Sequence, residues 1–157
     1  MPVYNHYYPD SNNQVSTAAS SQRLLVEGPT IPVAVSLAQP HVDFLTKAGK
    51  PIPLPLGGLA LIDSGATYCA VDESVVLQLG IPPYGSVKVH GVGGASDQLT
   101  YPASLSFPGT PIPPITFFDF YGAPLLPTGI IALIGRNVLR HFVLVYNGPG
   151  GHVSLSF

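Results

Sequence analysis

The sequence predicts an all-β fold, a small closed barrel with short helices and one lobe per chain. The first observation is that apolar runs of strand length alternate with turn residues from position 30 onward. The second is the supply of turn formers, since 17 Gly and 18 Pro occur among 157 residues. Hydrophobic residues make up 46% of the chain, which is enough for one core. Many short strands between turns are typical of barrels.

Strands are predicted wherever β-branched, aromatic and other apolar residues form short runs between turn residues. They occupy residues 31–37, 58–62, 86–89, 98–107, 115–120, 130–134, 142–146 and 152–157. Strand 31–37 alternates large and small residues, as a half-buried strand does. Strands 58–62 and 130–134 are wholly apolar. The Pro-rich stretches 50–55 and 108–114 are expected to be extended connections.

Three short helices are predicted, over residues 41–48, from residue 72 and over 136–141. Pro40 suits the first turn of the first helix, and Gly49 ends it. Asp72 is a suitable N-cap for the second helix, which ends at Gly80.

Residues 1–27 are expected to be a flexible N-terminal arm, and residues 28–157 the folded domain. The first 27 residues are rich in Ser, Asn, Gln and Ala and show no period.

Charge is scarce and balanced in this chain. Six Lys and Arg against eight Asp and Glu give a net charge of −2, and these types make up 9% of the residues. Their usual share is about 25%. Without a basic cluster, the chain is not expected to bind nucleic acid. Without an apolar run of about 18 residues, it is not expected to span a membrane.

The single cysteine, Cys69, predicts a reducing compartment, because it cannot form an internal disulfide. The first 21 residues show no secretory signal, so the expected location is cytoplasmic. The five His residues lack the spacing of a zinc site. The sequence therefore predicts no metal and no cofactor.

The first candidate site is the run Asp63-Ser64-Gly65-Ala66, which directly follows the apolar strand 58–62. A carboxylate there lies at the mouth of a buried strand, where desolvation disfavours its charge unless hydrogen bonds hold it. Ser64 and Gly65 supply a hydroxyl and an unhindered backbone, which suit a tight turn. By itself the Asp-Ser-Gly triplet is also ordinary turn chemistry.

Two further motifs come later in the chain. The strand 130–134 runs into Gly135, which allows the chain to pass close to another backbone, and Arg136 offers a planar fork of donors. The alternative is a plain buried strand followed by a solvated arginine. The run Gly91-Val92-Gly93-Gly94 predicts a glycine-rich hairpin tip, which is either a mobile lid or an ordinary turn.

In chain order, the Asp-Ser-Gly-Ala run comes first, the glycine-rich hairpin second and the Gly-Arg-Asn run last. In that order the three motifs resemble those of the retropepsin-like (retroviral-type) aspartic proteases. The resemblance covers about residues 31–157 and is strongest at 61–66 and 133–139, with a weaker match at 90–94. It implies a barrel of the retropepsin, or acid protease, type.

The resemblance also implies a role for each motif residue. Asp63 is the catalytic carboxylate, and Ser64 is the hydroxyl that locks two active-site loops across a dimer. Gly65 is backbone that contacts substrate, and Ala66 is a small packing residue. The remaining residues form a flap and a structural brace, namely Gly91, Val92, Gly93 and Gly94, then Ile134, Gly135, Arg136 and Asn137.

The chain departs from the family pattern directly after the first motif. Retroviral enzymes usually carry an acidic residue there, which pairs with the arginine, whereas this chain has Thr67. Arg136 therefore needs another partner, for which Asp72 is a candidate. Residues 39–55 and 152–157 also differ in length from the viral pattern.

Peptide hydrolysis without a metal requires a base to activate water and an acid to protonate the leaving nitrogen. Two adjacent carboxyl groups that share one proton do both, because like charges so close cannot both ionise. The chain contains one Asp-Ser-Gly triplet, so the second carboxylate must come from a second copy. The sequence therefore predicts an aspartic endopeptidase that acts on peptide or protein substrates as a homodimer with two Asp63 carboxylates.

Two alternatives stay open from the sequence. One is a catalytically inert dimerisation or peptide-binding module of the same fold, against which the intact Asp63 triplet argues. The other is a thiol enzyme, which is disfavoured because no His neighbours Cys69 in the sequence. His90 is either a substrate contact or a solvated side chain. The charge-poor composition predicts hydrophobic residues beside the bond that is cleaved.

Overall fold

A computed structural model describes residues 2–9, 12–91 and 94–157 of the chain. In these residues the fold is mostly β, with short helices, which confirms the predicted class in its coarse form. In chain order the elements are β1 (Val3–Tyr7), α1 (Thr17–Glu27), β2 (Thr30–Leu37), α2 (Gln39–Lys47), β3 (Leu56–Ile62), β4 (Ala70–Asp72), α3 (Glu73–Gln78), β5 (Gly85–Gly91), β6 (Gly94–Ser106), β7 (Ile115–Ala123), a 3₁₀ turn (Leu126–Thr128), β8 (Ala132–Ile134), α4 (Arg136–Leu139), β9 (Val143–Asn147) and β10 (His152–Ser156).

Seven strands form one sheet in the order β2-β3-β8-β4-β7-β6-β5. Strand β8 lies between β3 and β4, parallel to the former and antiparallel to the latter. Strand β2 pairs with β3 along its first part and with β6 along its last part. The side chains of Ile31, Val33 and Val35 on β2 are each 1% exposed. The core therefore packs against β2, which pairs with β3, the strand that ends just before residue 63.

Strands β5 and β6 form the predicted hairpin. Their register pairs Gly85 with Thr100 at the base and Gly91 with Gly94 at the tip. The expected flap residues Val92 and Gly93 lie outside the described residues. The described side chains from 94 to 97 are all exposed, so this end of the hairpin contributes little to the core.

Strands β1, β10 and β9 form a second, antiparallel sheet. The expectation that residues 1–27 form a flexible arm is wrong for their described part, because β1 pairs along its whole length with β10 and α1 is helical. Tyr8 is 2% exposed, and its hydroxyl donates to the Thr30 carbonyl at 2.8 Å. The buried residues of α1 are Ser20 and Leu24. These three buried residues are too few and too far apart to give the sequence an apolar period, so the packing of this segment could not be predicted.

The three predicted helices are present. Helix α2 has Pro40 in its first turn, and α3 begins after Asp72, whose carboxylate accepts a hydrogen bond from the Ser74 N–H at 2.9 Å. Gly80 follows α3 with a φ of 65°, which suits glycine. Helix α4 has only four residues and is shorter than the expected helix 136–141.

Among the described residues, no helix has the length and apolar character that crossing a membrane requires.

Candidate active site

Asp63 stands at the end of β3, where the chain enters a tight turn. Its N–H donates to the Ile134 carbonyl at 2.9 Å, and its carbonyl accepts from the Ala66 N–H at 3.2 Å. Its carboxylate accepts the N–H of Gly65 through Oδ1 at 2.8 Å. The backbone of the turn therefore orients the carboxylate. Residues 63–67 are called the Asp63 turn below.

The chain that leaves β8 runs alongside the Asp63 turn. The N–H of Arg136 donates to the Ala66 carbonyl at 2.9 Å. Gly135 passes so close to the backbone of Tyr68 that a Cβ atom at Gly135 would lie 2.4 Å from the Tyr68 carbonyl oxygen. Only glycine fits at such a crossing. The structure thus brings the first and last of the three sequence motifs into direct contact.

The guanidinium group of Arg136 ties the Asp63 turn together. Its Nη1 donates to the carbonyls of Ser64 and Gly65, and its Nη2 donates to Thr67 Oγ1, each at 2.8 Å. The expectation that Asp72 is the partner of Arg136 is wrong. The Thr67 hydroxyl takes the position of the missing acidic residue, because it offers an acceptor within reach of the same donor fork.

Asp72 instead supports the loop that leads into β8. It is 3% exposed, and its Oδ2 accepts the N–H groups of Leu125 and Leu126 at 2.8 and 2.7 Å. Burial alone would raise the pKa of Asp72, but the hydrogen bonds from Ser74, Leu126 and Leu125 outweigh it and lower the pKa below its ordinary value. The ionised carboxylate therefore holds α3 and this loop together.

Asn137, the last of the expected brace residues, contacts the thiol of Cys69. The Sγ atom donates to Asn137 Oδ1 at 3.2 Å and accepts the Gly135 N–H at 3.3 Å. Cys69 is 0% exposed, and burial raises its pKa to about 12. A buried, protonated thiol is a poor nucleophile, so the geometry disfavours a thiol enzyme.

An open cleft of about 580 Å³ lies beside the Asp63 turn. Its lining comes from the turn, from β5 and from two tyrosines, namely Asp63, Gly65, Ala66, Thr67, Lys88, Val89, His90, Tyr68 and Tyr121. Ser64 is exposed at the same turn. Of the expected flap residues, Gly91 and Gly94 stand at the hairpin tip, where Gly94 has a φ of 108°.

The sequence does not single out four residues of the cleft, namely Lys88, Val89, Tyr68 and Tyr121. Lys88 lies on the predicted strand 86–89 and His90 directly follows it, so period-two alternation continued by one residue could have placed both on one face. Tyr68 and Tyr121 left no such signal, because β7 and the Asp63 turn meet only in the folded chain.

Tyr121 lines the same cleft as Asp63, and the charge of Asp63 affects its pKa. Burial, followed by the charge of Asp63, raises the pKa of the Tyr121 hydroxyl. The hydroxyl therefore stays protonated and can donate a hydrogen bond within the cleft. The described part of the chain contains no group of three or more His, Cys, Asp and Glu side chains placed to hold a metal ion.

No protein-family model and no curated protein matches the sequence. Among solved structures, the chain is similar to the EIAV protease complexed with the inhibitor HBY-793, at 19% sequence identity and a TM-score of 0.47, over 72% of this chain and 86% of that one. It is also similar to a retropepsin-like aspartic protease from Rickettsia conorii, at 10% identity and a TM-score of 0.44, over 98% of this chain and 90% of that one. At these identities the likeness is one of fold.

Proposed function

We propose that this chain is an aspartic endopeptidase whose catalytic carboxylate is Asp63. The observation that carries the proposal is the placement of this carboxylate. It lines an open cleft at the end of a buried strand, and its orientation is set by the Gly65 N–H. A carboxylate that only capped a turn would not need a second chain segment, with Gly135 and Arg136, braced against it.

The reaction is the addition of water to a peptide carbonyl between two carboxyl groups that share one proton. The ionised carboxyl takes a proton from the water, whose oxygen forms the new bond to carbon. The C–N bond of the peptide then breaks, and the other carboxyl donates its proton to the leaving nitrogen. The pair acts as a unit, so activity should follow a bell-shaped pH profile with an acidic optimum.

The second carboxyl group is proposed to be the Asp63 of a second copy of the chain. Asp63 is partly exposed and Ser64 is exposed, which supports a turn that faces another subunit. Among the described residues, the Ser64 hydroxyl has no hydrogen-bond partner, and a contact across the dimer would supply one. In the same proposal the β5–β6 hairpin, whose described end is the Gly91–Gly94 pair, closes over the substrate.

The proposed fold is a closed barrel with one lobe per chain. Its support is the double pairing of β2, which contacts β3 with residues 30–35 and β6 with residues 34–37. Through β8, β4 and β7, these pairings form a continuous circuit of strands. The proposed protease domain spans residues 28–157, and β1 and α1 of the preceding residues pack against it.

The test is the Asp63→Asn variant, assayed on a peptide mixture with a mass-spectrometric readout. We expect cleavage to fall at least about 10³-fold, within the range that general acid–base groups contribute, while thermal stability changes little. Asp43→Asn, at an exposed aspartate of α2, is the matched control and should keep full activity. Full activity of Asp63→Asn would overturn the assignment.

Two measurements address the dimer and the inert alternative. Activity per chain should rise with protein concentration, and sedimentation at the assay concentration should show a dimer. A lasting monomer of constant specific activity would contradict a shared site. A statine-type mimic of the transition state should bind an enzyme, whereas an inert module of the same fold should not bind it.

A further inference from the structure

The cleft beside Asp63 carries basic side chains in a chain that has few of them. Only six residues are Lys or Arg, yet Lys88 lines this cleft, and His90 lines it two residues further along the same strand. Residues two apart on a strand point to the same face. Among the lining residues, Asp63 is the only acidic one.

Lys88 is available to a ligand. Within residues 2–9, 12–91 and 94–157, the one ion pair is between Arg23 and Glu27. Lys88 is exposed, and its cross-strand neighbour Asp97 does not form an ion pair with it. The ammonium group therefore keeps its donors free, unlike the guanidinium of Arg136, whose donors are used by the Asp63 turn.

A carboxylate is the ligand group that this wall of the cleft fits best. The Lys88 ammonium can donate a charge-assisted hydrogen bond to it, and the His90 ring can donate one in either protonation state. The negative charge of Asp63 on the opposite wall repels the same carboxylate. An acidic side chain is therefore favoured along the hairpin and disfavoured at the reacting carbonyl itself.

We propose that the cleft selects peptide segments with an Asp or Glu side chain close to the cleaved bond but not at it, held by Lys88 and His90. This inference rests on the proposed protease function, and it names the substrate class of the same site. It leaves room for the hydrophobic residues that the composition predicts beside the bond itself, since Tyr68 and Tyr121 also line the cleft.

The experiment has two stages. Wild-type protein first digests a peptide library with a mass readout, and the flanking positions of the cleaved bonds are scored for Asp and Glu. A good substrate with an acidic flanking residue is then compared with its Glu→Gln or Asp→Asn twin. We expect kcat/KM to favour the acidic peptide by about five-fold, the upper range for a solvent-accessible ion pair, and we expect the difference to lie mainly in KM.

Two variants assign the preference to Lys88. Lys88→Met should bring the ratio between the twin peptides close to one, and Lys88→Glu should invert it in favour of peptides with Lys at that position. Lys50→Glu makes the same charge change at an exposed residue outside the cleft, and it should keep the wild-type ratio.

The outcomes separate the two proposals. If the wild type cleaves peptides without enriching acidic residues, or if Lys88→Glu keeps the acidic preference, the substrate inference is overturned while the protease function stands. If folded wild-type protein cleaves no peptide of the library, the protease function is overturned, and the substrate inference falls with it.

Discussion

The two walls of the cleft are built in opposite ways. The Asp63 turn is bound by the backbone of Ile134 and Arg136 and by three side-chain hydrogen bonds from Arg136. The β5–β6 hairpin opposite is held by its own register, and its end is exposed. Segments with few buried contacts open at low free-energy cost, whereas segments bound on several sides do not. One wall is therefore suited to hold a reacting group in place, and the other to move around a ligand.

The largest effect should come from Gly135→Ala, which tests whether the Asp63 turn is rigid. The added Cβ would lie 2.4 Å from the Tyr68 carbonyl oxygen, so the backbone must shift. We expect a loss of about 3 kcal/mol in the free energy of unfolding, the upper range for overpacking. Denaturant unfolding measures it.

Gly148→Ala is the matched control, since its Cβ would meet the nearest atom, Tyr146 Cε1, at an ordinary 3.5 Å. If both variants had the same stability, the crossing at Gly135 would not be a tight one.

The next effect concerns Asp72, which supports the loop that leads into β8. Its pKa is lowered by hydrogen bonds in the folded chain, so its stabilising contribution is complete above the ordinary value of 3.8 and is lost as the pH falls toward the lowered value. Asp72→Asn should lower stability at neutral pH by about 1–3 kcal/mol, because one amide group cannot accept every bond that the carboxylate accepts.

Thermal unfolding between pH 7 and pH 2.5 separates this contribution from the others. Below pH 4, wild type and Asp72→Asn should converge, while Asp43→Asn should follow the wild type throughout. A constant difference between wild type and Asp72→Asn at all pH values would show that the charge of Asp72 is not what stabilises the loop.

A smaller effect on stability is expected on the opposite wall. Gly94 has a φ of 108°, and a Cβ added there would have no other atom within 4 Å, so Gly94→Ala strains the backbone without a clash. We expect the free energy of unfolding to fall by about 1–2 kcal/mol, with the strain local to the hairpin. We also expect kcat to fall, and the corresponding rise in activation free energy to exceed the loss of global stability. Unchanged turnover would argue that the hairpin is an ordinary turn.

The last prediction compares the two sides of the cleft in the unmodified protein. In amide hydrogen exchange of the unmodified protein, the N–H groups of β5 should exchange faster than those of Asp63 and Ile131, which are bonded within the core sheet. Equal protection of β5 and of Asp63 and Ile131 would contradict the expected difference in local stability between the hairpin and the Asp63 turn. Slower exchange in β5 alone on adding a transition-state mimic would support closure of the hairpin.

Much of this architecture could be predicted because it is local. The hairpin follows from two alternating runs with glycines between them, and the N-cap at Asp72 from a carboxylate ahead of a helical pattern. The buried strand before Asp63 follows from its apolar run. In each case the physical cause lies within about ten residues of the effect.

The parts that could not be predicted depend on distant contacts. Strand β4 has three residues and is defined by its pairing with β7 and β8, so no period marks it. Strand β1 exists because β10 binds it. The replacement of an acidic partner of Arg136 by Thr67 depends on how far a fork of donors reaches in the folded chain. The absence of an acidic partner for Arg136 could be inferred from the sequence, but its replacement by the Thr67 hydroxyl could not.

Cys69 makes the Asp63 turn observable in solution. It is the single thiol of the chain, and it is enclosed by Gly135 and Asn137. Alkylating reagents react with the thiolate, which burial suppresses by raising the pKa to about 12. At pH 8, modification therefore requires an opening that both exposes the sulfur and restores its normal acidity. The rate of labelling therefore measures how often the structure around the turn opens, without any introduced probe.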